Sequence, residues 1–243
     1  MLGQLLARFF RSAPARTARA AVAESNPLAE YFFDNPGRLI DKWDHYLEIY
    51  HRHFAAFRGK SPVVVEIGVW HGGSLQMWRD YFGAGCRVVG IDNNPRSLKF
   101  ADRDTTILIG DQGSREFLAS VREQVPHIDI LIDDGGHTMA QQTATFEELY
   151  PHIQPNGIYL CEDMHSSLWP RFGGGVRSAD SFLEYSKALI DGLYAWHSQE
   201  PELLAVNGFT ESTFSMHFYD SVLVIEKRPM ATPRRSKTGT PSF

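Results

Sequence analysis

The sequence predicts an α/β fold: a mostly parallel sheet with helices on both faces and an antiparallel hairpin at its C-terminal edge. Three observations predict it. From Ser61 onward, short aliphatic runs alternate with amphipathic stretches, the pattern of βα units joined by right-handed crossovers. After residue 203 this alternation gives way to closely spaced extended runs. Two apolar runs end in acidic clusters, Asp133-Asp134-Gly135-Gly136-His137 and Glu162-Asp163-Met164-His165, and parallel sheets bind ligands outside the carboxyl ends of their strands.

The elements follow in order. Residues 1–12 place Leu2, Leu5, Leu6, Phe9 and Phe10 on one face of a helix. Arginines without acids give that helix two readings: peripheral membrane contact through residues 1–20, or packing on the body or on another subunit of a homo-oligomer. Residues 37–57 carry Leu39, Trp43, Tyr46, Leu47, Tyr50, Phe54 and Phe57 near helical spacing, which predicts one long amphipathic helix after Asn35-Pro36-Gly37. Its aromatic stripe reads as core, with Lys42, His45 and Tyr46 placed to cap a cleft. Strands are predicted at 62–67, 86–91, 105–109, 128–133 and 156–161, with helices near 74–82, 95–101, 114–123, 138–150 and 179–192. Further strands are predicted at 203–208, 213–219 and 221–227, the last two joined by a tight turn at Tyr219-Asp220-Ser221. Arg171-Phe172-Gly173-Gly174-Gly175 reads as a mobile loop, either a lid or a plain linker. The organisation expected is a basic N-terminal extension (1–34), a central domain (35–228) and a disordered basic tail (229–243).

Composition narrows the function. The chain has 243 residues, 43% hydrophobic and 22% charged, ordinary for a globular domain, and its longest apolar run is far short of the ~18 residues that span a membrane. The formal charge of −5 is uneven. Four arginines lie in residues 1–23 and five basic residues in 227–243, with no acid in either. Residues 24–226 therefore hold 15 basic against 29 acidic residues, a formal charge of −14. An acidic body argues against nucleic acid as a partner and suits a cation site. Cys86 and Cys161 fall in predicted central strands, where two reduced thiols fit a cytoplasmic setting.

Three strand ends carry the pattern of a nucleoside site. The first strand and its loop read Val63-Val64-Val65-Glu66-Ile67-Gly68-Val69-Trp70-His71-Gly72-Gly73-Ser74. Trp70 stands where the dinucleotide fingerprint needs a glycine against the pyrophosphate. That weakens a nicotinamide reading and favours a phosphate-free nucleoside. The next strand ends in Asp92, placed to accept from ribose hydroxyls. The third ends in Gly110-Asp111-Gln112, where an acid or amide meets an adenine amino group. Each acid alone is as well explained as a turn or cap residue; three at successive strand ends are not. The two acidic clusters, on neighbouring strands, would offer hard oxygen ligands to a divalent cation, with a histidine nearby as base.

The spacing Glu66-x-Gly68-x-x-x-Gly72, then Asp92, then Asp111, resembles the S-adenosylmethionine site of class I methyltransferases, without their usual middle glycine. More narrowly, Glu-Ile-Gly-Val-Trp-His-Gly-Gly-Ser-Leu-Gln-Met-Trp, Ile-Asp-Asp-Gly-Gly-His and Glu-Asp-Met-His-Ser-Ser-Leu-Trp-Pro resemble the macrocin and mycinamicin type of sugar O-methyltransferase, with cephalosporin-hydroxylase-like proteins as relatives. The resemblance covers residues 35–228. It implies a Rossmann-like methyltransferase sandwich with a mostly parallel seven-stranded sheet. It also implies S-adenosylmethionine contacts from Glu66, Gly68, Gly72, Ser74, Asp92, Asp111, Gln112 and Asp133, and Mg2+ held by Asp134, Glu162 and Asp163. His137 is implied as general base, and the acceptor as a small molecule or glycan with a vicinal diol. The cephalosporin-type relatives leave a second reading, a cofactor-binding partner protein of a biosynthetic enzyme with no turnover of its own.

Overall fold

A computed structural model describes residues 26–243. The amphipathic N-terminal run, its membrane-contact reading and most of the basic extension lie outside the described residues.

The expected architecture is present. Five strands, β1 (Val63–Ile67), β2 (Arg87–Asp92), β3 (Thr105–Ile109), β4 (Ile130–Asp133) and β5 (Ile158–Cys161), are joined by β6 (Thr213–Phe218) and β7 (Leu223–Lys227) in one sheet. Its order is β3-β2-β1-β4-β5-β7-β6. The first five are parallel, and β7 runs antiparallel to both β5 and β6. The chain crosses from β3 back past β1 to β4, which opens a crevice at the carboxyl ends of β1 and β4.

Alternation along the strands divides the core into two layers. Val64, Val88, Ile130, Ile132 and Leu160 face α1 (Pro27–Phe33), α2 (Tyr46–Phe54) and α3 (Gly73–Phe82), packing on Leu28, Tyr50, Phe54 and Trp78. Val65, Val89, Leu131, Tyr159 and Ile225 face the other side. There α4 (Arg115–Gln124), α5 (Met139–Leu149), α6 (Phe182–Tyr194) and the short α7 (Gly208–Ser212) contribute Leu118, Phe146, Phe182 and Phe209. The interior is full on both faces, as a parallel sheet requires.

Four local expectations are corrected. Only Tyr46–Phe54 of the predicted 37–57 helix is α-helical, followed by a 3-10 turn at Ala55–Phe57. Residues 35–45 are irregular, because Asn35 turns the chain by donating to the Arg38 carbonyl and accepting from the Gly37 N–H. Leu39 and Trp43 therefore stay exposed rather than joining the core. Residues 203–208 form no strand, and Asn207 instead caps α7 by accepting from the Phe209 and Thr210 N–H groups. The segment after Asp92 is a 3-10 helix, Pro95–Phe100. The loop at Gly173–Gly175 is tied down, its N–H groups donating to the Pro170, Trp169 and Ser167 carbonyls. The helix Pro27–Phe33, capped by Asn26, was not anticipated, and it brings the packed body upstream of residue 35. Beyond Pro229 the chain has no regular element.

Gly68 fixes the approach of two loops. Its φ is +97°, and a Cβ there would meet the Asp134 carbonyl oxygen at 1.9 Å. Gly68→Ala is expected to cost at least about 2 kcal/mol in urea denaturation, since both the backbone region and the space exclude a side chain. A loss below about 0.5 kcal/mol would mean that the loops part readily.

Candidate active site

The strand ladder continues one residue past the formal strand ends. The Asp134 N–H donates to the Ile67 carbonyl (2.9 Å), and the Glu162 N–H to the Asp133 carbonyl (2.9 Å). Gly68, Asp134 and Glu162 thus stand side by side at the mouth of the crevice. A cleft of about 970 Å³ opens there, lined by both acidic clusters, the Gly68 loop, the ends of β2 and β3, and residues 41–46.

Lys42 organises this mouth. Its ammonium is buried, donates to Asp134 Oδ2 and to both Glu162 oxygens (2.9 Å each), and lies 3.9 Å from Glu66 Oε1. Burial alone would lower the Lys42 pKa, but the charges of Asp134, Glu162 and Glu66 outweigh it and hold the pKa well above the ordinary value. Burial raises the Glu162 pKa, with Asp134 adding to the rise and Lys42 opposing it. Glu66 is pushed up to about 7, first by burial. Tyr46 completes the wall by donating its hydroxyl to Asp163 Oδ1 at 2.8 Å.

Asp134, His137 and Asp163 converge. Each offers a ligand atom within 4.8 Å of the others', with His137 Nε2 at 3.7 Å from Asp134 Oδ1 and 3.5 Å from Asp163 Oδ2. His137 (φ 56°) and Asp163 (φ 53°) are both in the left-handed region, as is Trp70 (φ 45°) on the cleft wall. Strained backbone of this kind persists where the surroundings over-determine it, and it clusters at functional sites. Neither Asp134 nor His137 serves as the cap of α5, which is capped by Thr138 in a reciprocal box with Gln141. Buried His137 Nδ1 has no hydrogen-bond partner among the described residues.

The remaining predicted residues divide into two groups. Gly68, Asp92 and Gln112 line the cleft. Asp92 Oδ2 also accepts from the Val69 and Trp70 N–H groups (3.0 Å each), so it shapes the glycine loop as well as facing the cleft. Gln112 donates to Asp133 Oδ1 and accepts from the Gly136 N–H at 3.0 Å, which holds the first acidic loop. Glu66, Gly72, Ser74, Asp111 and Asp133 do not reach the cleft wall. Glu66 is sealed beneath the loop, accepting from Ser74 Oγ (2.7 Å) and Trp78 Nε1 (3.0 Å). Asp133 is buried against Gln112 and Tyr159, and burial pushes it up to about 7. Gly72 starts α3 against Phe100, and Asp111 turns the chain by accepting from the Gly113 N–H. The role of Lys42 as the counter-charge was not read from sequence. Its one signal was a lysine next to a predicted acidic cleft.

The donor set suits a hard divalent cation. Asp134 and Asp163 offer carboxylate oxygens beside His137 Nε2, whereas both Glu162 oxygens accept from the Lys42 ammonium and Glu162 stands outside that group.

Comparison with known proteins agrees with this geometry. Residues 65–164 match the methyltransferase-domain family. The chain is 36% identical over 203 residues to the 8-demethyl-8-alpha-L-rhamnosyl tetracenomycin-C 2'-O-methyltransferase of Streptomyces olivaceus, covering 77% of this chain and 52% of that protein. It is 34% identical over 188 residues to the mycinamicin VI 2''-O-methyltransferase of Micromonospora griseorubida, covering 73% and 47%. The chain thus spans about half the length of the curated relatives it matches. Among solved structures, the MycE methyltransferase of mycinamycin biosynthesis, in complex with Mg, SAH and mycinamycin VI, superposes with a TM-score of 0.74 at 28% identity. That match covers 84% of this chain and 53% of that one.

Lys42→Met tests the electrostatic reading. It leaves Glu162 buried without its partner, which costs about 3–5 kcal/mol when one member of a buried pair is removed. Urea denaturation in a chelator at neutral pH should show that loss, with Lys42→Arg losing less. A variant as stable as the wild type would remove Lys42 from the account.

Strand order, the in-register acidic ends and the sequence matches converge: residues 65–164 match a methyltransferase domain, and the chain is similar to sugar O-methyltransferases of the macrocin and mycinamicin type.

Proposed function

We propose that this chain is an S-adenosylmethionine-dependent, Mg2+-dependent O-methyltransferase acting on a hydroxyl of a sugar or glycosylated small molecule. The observation that carries the reading is the convergence of Asp134, His137 and Asp163 beside Gly68 and Asp92 in one cleft. The relatives named above are sugar O-methyltransferases, and MycE is known with Mg, SAH and a glycosylated acceptor.

In this reading Asp134, Glu162 and Asp163 hold the cation, and Gly68, Asp92 and Gln112 border the nucleoside. When bound, S-adenosylmethionine supplies an electrophilic methyl group and the cation acidifies an acceptor hydroxyl. His137 takes the hydroxyl proton at Nε2. The imidazolium formed there lies beside the Asp134 and Asp163 carboxylates, which stabilise its charge. Lys42 and Tyr46 keep Glu162 and Asp163 in place, so that positioning is prepared before the acceptor arrives. Trp43 (58% exposed) and Trp70 (57% exposed) stand at the cleft mouth, and their flat faces suit the C–H faces of a sugar ring.

The reading predicts methyl transfer from S-adenosylmethionine to members of a glycoside library, abolished by chelation and restored by Mg2+. His137→Ala should lower kcat by about 10²-fold or more while calorimetry shows cofactor binding unchanged. Cofactor binding without transfer to any acceptor would favour the non-catalytic partner reading. Turnover indifferent to both chelator and His137→Ala would overturn the mechanism.

Trp43→Ala offers a separate check on the acceptor side. It should raise the acceptor KM several-fold with the S-adenosylmethionine KM unchanged. The opposite pattern would place Trp43 at the cofactor.

A further inference from the structure

A second group of ligating side chains lies away from the cleft. His53 in the last turn of α2, His217 on β6 and Glu226 on β7 offer ligand atoms that all lie within 4.8 Å of one another. His53 Nδ1 is 2.8 Å from Glu226 Oε1, and His217 Nε2 is 3.7 Å from the same oxygen. The two imidazole rings lie with centroids 4.7 Å apart, their planes tilted by 60°.

The surroundings orient these groups as metal sites require. A ligating histidine normally fixes its other ring nitrogen with a hydrogen bond, and His53 Nε2 is 2.9 Å from Tyr219 Oη. Ser215 Oγ donates to Glu226 Oε2 at 3.2 Å and so holds the carboxylate, and it also lies 3.0 Å from His217 Nε2, a contact that a bound ion replaces. The His53 side chain is 2% exposed, Glu226 31% and His217 37%, so the group is reached from solvent on the side of His217 and Glu226.

The position is independent of the candidate active site. On β7, Leu223 pairs with Cys161 at the carboxyl end of β5, whereas Glu226 pairs with Ile158 at its start. Three residues of strand separate the two levels by roughly 10 Å.

We propose that His53, His217 and Glu226 form a binding site for a borderline transition-metal ion, Zn2+ foremost, distinct from the carboxylate-rich cleft. Two imidazoles and one carboxylate match the nitrogen and oxygen ligands and four-coordinate geometry of Zn2+, with water in the fourth position. Mg2+ prefers six oxygens and is poorly served here. A bound ion would pin the C-terminal end of α2 to the β6–β7 hairpin. The other end of α2 carries Tyr46, which touches Asp163 in the cleft.

Co2+ is the probe, because its visible absorption reports low-coordinate nitrogen and oxygen ligation. Titration of the full chain should give an intense band saturating near a single equivalent. The band should survive excess Mg2+, disappear on adding Zn2+, and persist in Asp163→Asn, which disables the cleft instead. His217→Ala, a change at a partly exposed position, should abolish it, and Zn2+ should raise the melting temperature of the wild type but not of that variant. Absence of the band in the wild type, or its persistence in His217→Ala, would overturn the proposal. In either case the hydrogen-bonded trio would be a structural network only.

Discussion

Two carboxylates on adjacent strand ends repel each other unless a cation stands between them, and in this protein Lys42 is that cation. The spacing of neighbouring strands, roughly 4.8 Å, forces Asp134 and Glu162 together once β4 and β5 pair in register. Water cannot screen the pair, because Glu162 is buried. The ammonium of Lys42, delivered from the irregular segment before α2, neutralises what the sheet imposes. That constraint explains why residues 35–45 leave the helical path their aromatic spacing suggests: the segment must carry a charge down into the cleft.

The same geometry links stability to chemistry. Buried charges are tolerated only when paired, and a cleft with three carboxylates and one ammonium keeps negative charge in reserve. Asp163 lies at its more open side, held by Tyr46 and facing His137. The left-handed backbone of His137 and Asp163 turns both side chains into one space. Gly68 makes the arrangement possible from beneath, since its missing Cβ lets the first loop lie against the Asp134 carbonyl.

Most of the fold was legible from the sequence. Strand runs such as Val63–Ile67, apolar but for Glu66, and Ile158–Cys161 end at a glycine or an acid, and the runs of apolar residues located them. The same rule misread residues 203–208, where apolar residues lie beside an asparagine whose capping role depends on the next turn. It also overextended α2, because Trp43 and Leu39 fit a helical stripe that the Asn35 turn prevents. In the site, the strand-end acids and His137 stood out through their position after apolar runs. Glu66, Ser74 and Asp133 carried the same motif signal yet proved buried, since a motif gives spacing but not whether a side chain points into the cleft or under it. Lys42 was read only as a residue placed to cap the cleft, and its counter-charge role and the His53–His217–Glu226 group were missed for a different reason. They are brought together by tertiary packing over large sequence separations, and no local pattern marks them.

The central claim is that residues 134, 162 and 163 surround one cation beside His137 and the nucleoside pocket. A crystal structure of the chain grown with Mn2+ and S-adenosylhomocysteine, read by anomalous scattering at the manganese edge, tests it most directly. The account predicts one strong peak within about 2.3 Å of oxygens from Asp134, Glu162 and Asp163, with His137 Nε2 turned toward it. A peak held by other residues, or ordered S-adenosylhomocysteine with no peak among these three, would contradict it.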